Sequence, residues 1–298
     1  MSKASQFSLS EAPLDRIINV ASVRQLSPFR YPGGKTWLVP RIRLWRKHQC
    51  SEFIEPFAGG GIISLTVAAE NLAKQVIMVE LDEQVAAVWK AIITENGAVS
   101  LADQIVSFNL TPESLHKELA KTPTSNLEKA FQTILKNRTY HGGILAAGSA
   151  PLRHGENGKG IKSRWYAETL RKRILEIAKL RDRITFIEGD GLEVIRQNAK
   201  RQDVAFFIDP PYTAAGKKAG RRLYTHPDLN HEYLFDLMDS VSGDFLMTYD
   251  NAYGVRRLAT KHNFDTELVA MKNTHHAEMT ELLIGRNLNW ARLQTRER

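Results

Sequence analysis

The residues with the most chemistry in this 298-residue chain are Asp209-Pro-Pro-Tyr212, which close an apolar run, Val204–Asp209 (VAFFID). Two consecutive prolines fix φ and remove two donors, so a carbonyl beside them is left to face a cavity. The segment has a use for each of its parts. An exocyclic amine on a planar base has its lone pair delocalised into the ring and is a poor nucleophile. If Asp209 accepts one of its N–H bonds and the Pro210 carbonyl the other, the nitrogen moves toward a tetrahedral, more nucleophilic geometry. Tyr212 is placed to stack on the base. The plain alternative is a strand-capping turn with Asp209 solvated, and the double proline beside an aromatic ring argues against it.

Two further segments carry chemistry. Phe53-Ile-Glu-Pro-Phe-Ala-Gly-Gly-Gly61 reads as a strand running into glycines and then a helix, where the backbone can approach a ligand and helix N–H groups are available. The next strand ends in Glu80, with Asp82 two residues on, and a carboxylate there can accept both hydroxyls of a ribose. Together they favour a nucleoside-containing cofactor, a dinucleotide and S-adenosylmethionine fitting alike. Phe29-Arg-Tyr-Pro-Gly-Gly-Lys-Thr36 invites comparison with a phosphate-binding P-loop, but Phe29 stands where the first glycine belongs and no buried strand precedes it. A P-loop ATPase is rejected on that residue.

These segments need a scaffold, and the chain supplies one. Short apolar runs at Phe53–Phe57, Val76–Glu80, Ile184–Glu188, Val204–Asp209, Phe245–Tyr249, Thr266–Met271 and Glu281–Ile284 alternate with helix candidates at Ile62–Asn71, Gln84–Asn96 and His231–Val241. Near-continuous apolar runs suit strands covered on both faces, which predicts an α/β fold with a seven-stranded, doubly wound, mostly parallel sheet. The last two runs are nine residues apart (Lys272–Thr280), too few for a helical crossover, so they are expected to form an antiparallel hairpin at one edge. Residues 97–179 interrupt the alternation with helical pieces (Thr111–Lys121, Asn126–Lys136, Ala167–Leu180) and a Gly-rich basic stretch, Tyr140 to Lys162. They are read as an inserted, mainly helical domain, within a catalytic domain of residues 27–96 and 180–298 and behind a loosely packed arm, residues 1–26.

Bulk properties set the surroundings. A formal net charge of +8 is compatible with a polyanionic partner. Basic clusters occur at Arg41, Arg43, Arg46 and Lys47, at Arg171 to Arg173, and at Lys217, Lys218, Arg221 and Arg222. The single cysteine, Cys50, excludes an intramolecular disulfide framework and a cysteine-rich zinc site, and it reads as a partly buried hydrophobe. His275, His276 and Glu278 lack metal-ligand spacing, so no metal site is expected. The first thirty residues lack a signal-peptide core, and no apolar run is long enough to span a membrane. A cytoplasmic protein is expected.

In this order the motifs resemble the Dam-type, or D12 class, adenine-N6 DNA methyltransferases. The resemblance is carried by Tyr31-Pro-Gly-Gly-Lys35, Glu55-Pro-Phe-Ala-Gly-Gly-Gly61, Asn137-Arg-Thr-Tyr-His-Gly-Gly143, Gly189-Asp-Gly191, Asp209-Pro-Pro-Tyr212 and Glu281-Leu-Leu-Ile284, and it spans about residues 29 to 287. It implies a Rossmann-like fold that binds S-adenosylmethionine. Tyr31, Gly34 and Lys35 would face the methionine part, with Phe57, Gly59 and Gly61 lining the cofactor beside Glu55. Glu80 would hold the ribose and Asp190 the cofactor adenine. Asp209, Pro210 and Tyr212 would form the catalytic pocket for an adenine flipped out of duplex DNA, with no metal required. The family often carries Asp where Glu80 stands. Members that read GATC place an arginine and an aromatic where this chain has Ala146 and Ala147, and alanine cannot read guanine bidentately, so a different target is implied. His141, Arg153, His154, Lys159 and Arg164 in the insertion, with Lys217, Arg221 and Arg222 after the catalytic strand, are the candidate DNA contacts. A monomer is expected, with a cognate restriction nuclease in the same system as a further partner. The competing readings are a methyltransferase acting on RNA adenine or on a glutamine side chain, and a catalytically silent DNA-binding protein on the same scaffold.

Overall fold

The computed structural model describes residues 23–30, 33–211, 229–272 and 278–292. Strands β1 (Cys50–Glu55), β2 (Ala73–Glu80), β3 (Ile184–Glu188), β4 (Val204–Ile208) and β5 (Asp244–Asp250) run parallel. The hairpin strands β6 (Asp265–Lys272) and β7 (Glu278–Gly285) complete a seven-stranded sheet ordered β3-β2-β1-β4-β5-β7-β6, with β7 antiparallel to both neighbours. The expected doubly wound, mostly parallel sheet and its antiparallel hairpin are both present.

Alternation along the strands builds a core on each face. Phe53, Val76, Met78, Ala205, Phe207, Leu246 and Leu283 enter one apolar cluster. Their neighbours Ile54, Val79, Phe206, Ile208, Met247, Leu282 and Ile284 enter the other. The first cluster is closed by α1 (Val39–Trp45), α2 (Ile62–Ala69), α3 (Glu83–Trp89), α4 (Ala98–Ser107), α5 (Pro112–Leu119), α6 (Asn126–Thr139) and α7 (Ala167–Ala178), the second by α8 (Gly191–Asn198), α9 (His231–Asp239) and α10 (Tyr253–Lys261). Leu101, Ile105, Phe131, Ile134 and Ile174 of residues 97–179 thus share one buried cluster with Leu65 and Trp89.

Several boundaries differ from the sequence reading for local reasons. β1 starts earlier, since Cys50 and Glu52 pair with Ala73 and Gln75 of β2, and stops before Pro56, which has no N–H to give a ladder. α2 ends at Ala69 because Asn71 takes a left-handed φ of 57°. The helix expected over Gln84–Asn96 begins at Glu83, where Asp82 caps it by accepting from the Gln84 and Val85 amides. It passes into one π-helical turn, Lys90–Thr94, and Asn96 at φ 56° ends the run. Val23 and Leu26, at the end of the expected arm, are buried in the first cluster. Of the basic cluster in and just after α1, Arg41 and Arg46 are buried, Arg43 makes two bonds to Glu70, and Lys47 stays exposed. Among the described residues no helix is long and apolar enough to cross a membrane.

Candidate active site

The order of the sheet reverses between β1 and β4, and in such sheets ligands bind at the carboxyl ends of the strands beside that point. Three acids stand there: Glu55 ends β1, Glu80 ends β2, and Asp209 follows β4. Each is fastened differently. Buried Glu55 accepts the Ser64 N–H at 2.9 Å, satisfying a first-turn amide of α2. Burial pushes its carboxyl up to about 8; bonds from Ser64 oppose the rise, and Asp209 and Glu80 add to it. Glu80 accepts from the Gly59 and Asp82 amides, both at 2.8 Å. Its burial pushes the carboxyl up to about 7, against those two N–H bonds.

The glycine turn between β1 and α2 is held from both sides. Gly59 and Gly61 have φ of 47° and 63°, which costs a glycine little. The Trp89 indole N–H donates to the Gly59 carbonyl at 2.9 Å, and a Cβ on Gly61 would lie 2.6 Å from Met78 Cε and 3.0 Å from the Trp89 ring. Phe29 packs on Trp89 with ring centroids 5.4 Å apart, which brings the segment before Lys35 to the same turn.

Lys35 is 3% exposed, and its ammonium lies 2.9 Å from Asp209 Oδ1 and 3.6 Å from Glu281 Oε1. It also donates to the Gly33 carbonyl at 3.0 Å. Burial works against the ammonium, and the two carboxylates outweigh it and hold its pKa above the ordinary lysine value. Thr248 on β5 donates to the same Asp209 oxygen at 2.9 Å. Behind them, the buried Tyr249 hydroxyl lies 2.9 Å from His231 Nδ1. Burial, with Asp209 and Asp250 nearby, holds that phenol well above its usual range. The arrangement gathers four carboxyls at this end of the sheet: Asp209 and Glu281 hold the Lys35 ammonium, and Glu55 and Glu80 hold backbone amides.

A family model for D12 class N6 adenine-specific DNA methyltransferases matches residues 31–279. The chain belongs to this family. The D12 methyltransferase is also similar to the type II methyltransferase M.MjaIII of Methanocaldococcus jannaschii, at 21% identity over 229 residues, covering 70% of this chain and 76% of that one. Solved structures with a similar course of the chain include a methyltransferase from Geobacter sulfurreducens (15% identity, 86% and 80% of the two chains, TM-score 0.36). Another is the precorrin-6y C5,15-methyltransferase of Geobacter metallireducens (10% identity, 85% and 88%, TM-score 0.35).

Of the residues singled out in the sequence of this D12 methyltransferase, Lys35 and Asp209 are in contact, and Gly59 and Glu80 are bonded to one another. Pro210 is buried, Phe57 is half-buried against the second core, and Gly34 is exposed. Asp190 caps α8 by accepting the Leu192 N–H at 2.9 Å and is exposed. His141, Arg153, His154 and Lys159 are exposed on the segment between α6 and α7, with Arg164 half-buried beside them. Tyr31, Tyr212, Lys217, Arg221, Arg222, His275 and His276 lie outside the described residues. Sequence reasoning gave no site role to Thr248 or Glu281. Their one signal is polarity inside apolar strands, FLMTY and ELLI, at places where a side chain is fully covered.

Asn137, quoted in the sequence only for its resemblance, is a clasp. It is fully buried, accepts the Arg30 N–H at 2.9 Å, and donates to the Arg30 carbonyl at 2.9 Å and the Gly143 carbonyl at 2.8 Å. Gly143, at φ 76°, is required there, because a Cβ would lie 2.3 Å from the Arg30 oxygen.

Proposed function

We propose that this D12 methyltransferase transfers a methyl group from S-adenosylmethionine to N6 of an adenine flipped out of duplex DNA, at a target other than GATC. The observation that carries the reading is Asp209, set by Lys35 and Thr248 at the carboxyl end of β4 beside the sheet's reversal point.

The donor set suits such a cofactor. An acid-rich crevice favours a cationic sulfonium, and Glu80 has lone pairs for ribose hydroxyls besides those given to Gly59 and Asp82. Glu80 would hold the ribose, Asp190 the cofactor adenine, and the turn Phe57–Gly61 would line it next to Glu55, with Tyr31, Gly34 and Lys35 toward the methionine part. When bound, S-adenosylmethionine supplies a methyl carbon whose bond to sulfur breaks with its electron pair staying on sulfur. Asp209 and the Pro210 carbonyl accept the two N–H bonds of the target amine and make its lone pair available, and Tyr212 stacks on the base. Residues 97–179 serve as the target-recognition domain, with His141, Arg153, Lys159 and Arg164 toward DNA, joined by Lys217, Arg221 and Arg222.

The test is transfer of labelled methyl to duplex DNA and, in parallel, to structured RNA, followed by sequencing that reads modified adenines. Label on N6 of adenine in DNA is expected, and Asp209→Ala should abolish it while cofactor binding by calorimetry persists. Label on RNA alone, or undiminished transfer by the variant, would remove DNA or Asp209 from the reading.

A further inference from the structure

We infer that Glu281 is a positioning residue for methyl transfer, acting through Lys35 to leave Asp209 a net negative partner for the target amine. The inference rests on the proposed reading of Asp209.

The argument begins with charge. Lys35 is a buried ammonium between two carboxylates, 2.9 Å from Asp209 and 3.6 Å from Glu281, and Glu281 itself is 6% exposed. In surroundings this dry, charges interact far more strongly than in water. Two carboxylates and one ammonium leave the trio at about minus one; without Glu281, Lys35 and Asp209 form a neutral pair. The difference matters at the target nitrogen. As N6 bonds to the methyl carbon it gains positive charge, which it carries until one of its two original protons leaves to the Asp209 carboxylate and then to solvent. A trio of net charge minus one stabilises that developing cation, and a neutral pair does not.

Hydrogen bonding points the same way. Asp209 Oδ1 already takes the Thr248 hydroxyl and the Lys35 ammonium. With Glu281 in place the ammonium is shared, which leaves lone pairs of Asp209 to the amine N–H. With Glu281 removed the ammonium falls wholly to Asp209 and competes with the amine. Glu281 can hold this place because β7 lies next to β5, which carries Thr248, and its register sets Glu281 opposite Asp250.

Glu281→Gln keeps the shape and removes the charge. Its kcat for methyl transfer is expected to fall about tenfold or more, with KM for cofactor and DNA within about threefold of the parent. Binding gives a second readout, once sequencing has supplied the target. The ratio of affinities for a duplex with adenine at the target and one with purine, which lacks the 6-amine, should shift toward purine in Glu281→Gln relative to the parent, the cost of flipping cancelling in the comparison. The conservative variant Glu281→Asp, which keeps the charge, should retain more of the transfer rate than Glu281→Gln. Three results would overturn the inference: Glu281→Gln within twofold of the parent, Glu281→Asp no faster than Glu281→Gln, or a Glu281→Gln protein that has lost cofactor binding and thermal stability together. A parent protein that methylates no adenine would instead sink the underlying reading.

Discussion

At the scale of single residues, the crevice is organised around carboxyl groups whose burial makes them reluctant to ionise. Glu80 and Glu55 are pushed up to about 7 and about 8, and both belong to the set proposed above to line the cofactor. Below pH 6 both are largely protonated. As pH rises through this range the two carboxyls ionise, and each ionised form attracts a cation. S-adenosylmethionine should therefore bind roughly tenfold more tightly at pH 8.5 than at pH 6. S-adenosylhomocysteine, which has the same amino-acid part but no charge on sulfur, should show a smaller change. Calorimetry of both ligands at the two pH values compares them, and equal slopes would show that these carboxyls do not sense the sulfonium. The glycines, Glu80 and Asp209 were legible in the sequence because their neighbours along the chain signal the turn or strand end. Thr248 and Glu281 were not, because what gives each meaning is a partner across the sheet.

At the scale of elements, apolar runs located every strand, since burial on both faces leaves a continuous signal. Their ends were set by what apolarity does not report: Pro56 stops β1, and left-handed Asn71 and Asn96 stop helices. The contact that places the Lys35 segment was also hidden. Asn137 and Arg30 are 107 residues apart, and Asn137 ties α6 to the stretch leading into Lys35. Asn137→Ala should destabilise the protein by roughly 2–4 kcal/mol, because three hydrogen bonds made by a fully buried side chain go, among them the one to buried Gly143. Chemical denaturation reads the loss. Asn137→Asp should be nearly as damaging, since a carboxylate can accept the Arg30 N–H but cannot donate to the two carbonyls. A variant within about 0.5 kcal/mol of the parent would show the clasp to be idle.

Across the whole molecule, the net charge of +8 is unevenly spent. Arg41 and Arg46 are buried and Arg43 is paired, while Arg153 and Lys159 stay exposed between α6 and α7. If those two meet phosphates, the affinity for duplex DNA should fall linearly on a log–log plot against salt. Replacing both by alanine should flatten the slope by about 1.8, roughly 0.9 for each phosphate no longer neutralised. The same change at Arg43, already held by Glu70, should leave the slope alone, and a slope that drops equally for both would show that only overall charge counts. The placement of β7 between β5 and β6 has a consequence in time. β6 leaves the ribosome first, yet its only strand partner among the described residues is β7, and the outer edge of β5 is completed by β7 as well. Both must wait with open backbone groups until residues 278–285 arrive, the situation in which a nascent chain is most prone to aggregate. The same late strand delivers Glu281 to Lys35, so a polypeptide stalled before it would have the glycine turn and Asp209 but an unfinished crevice.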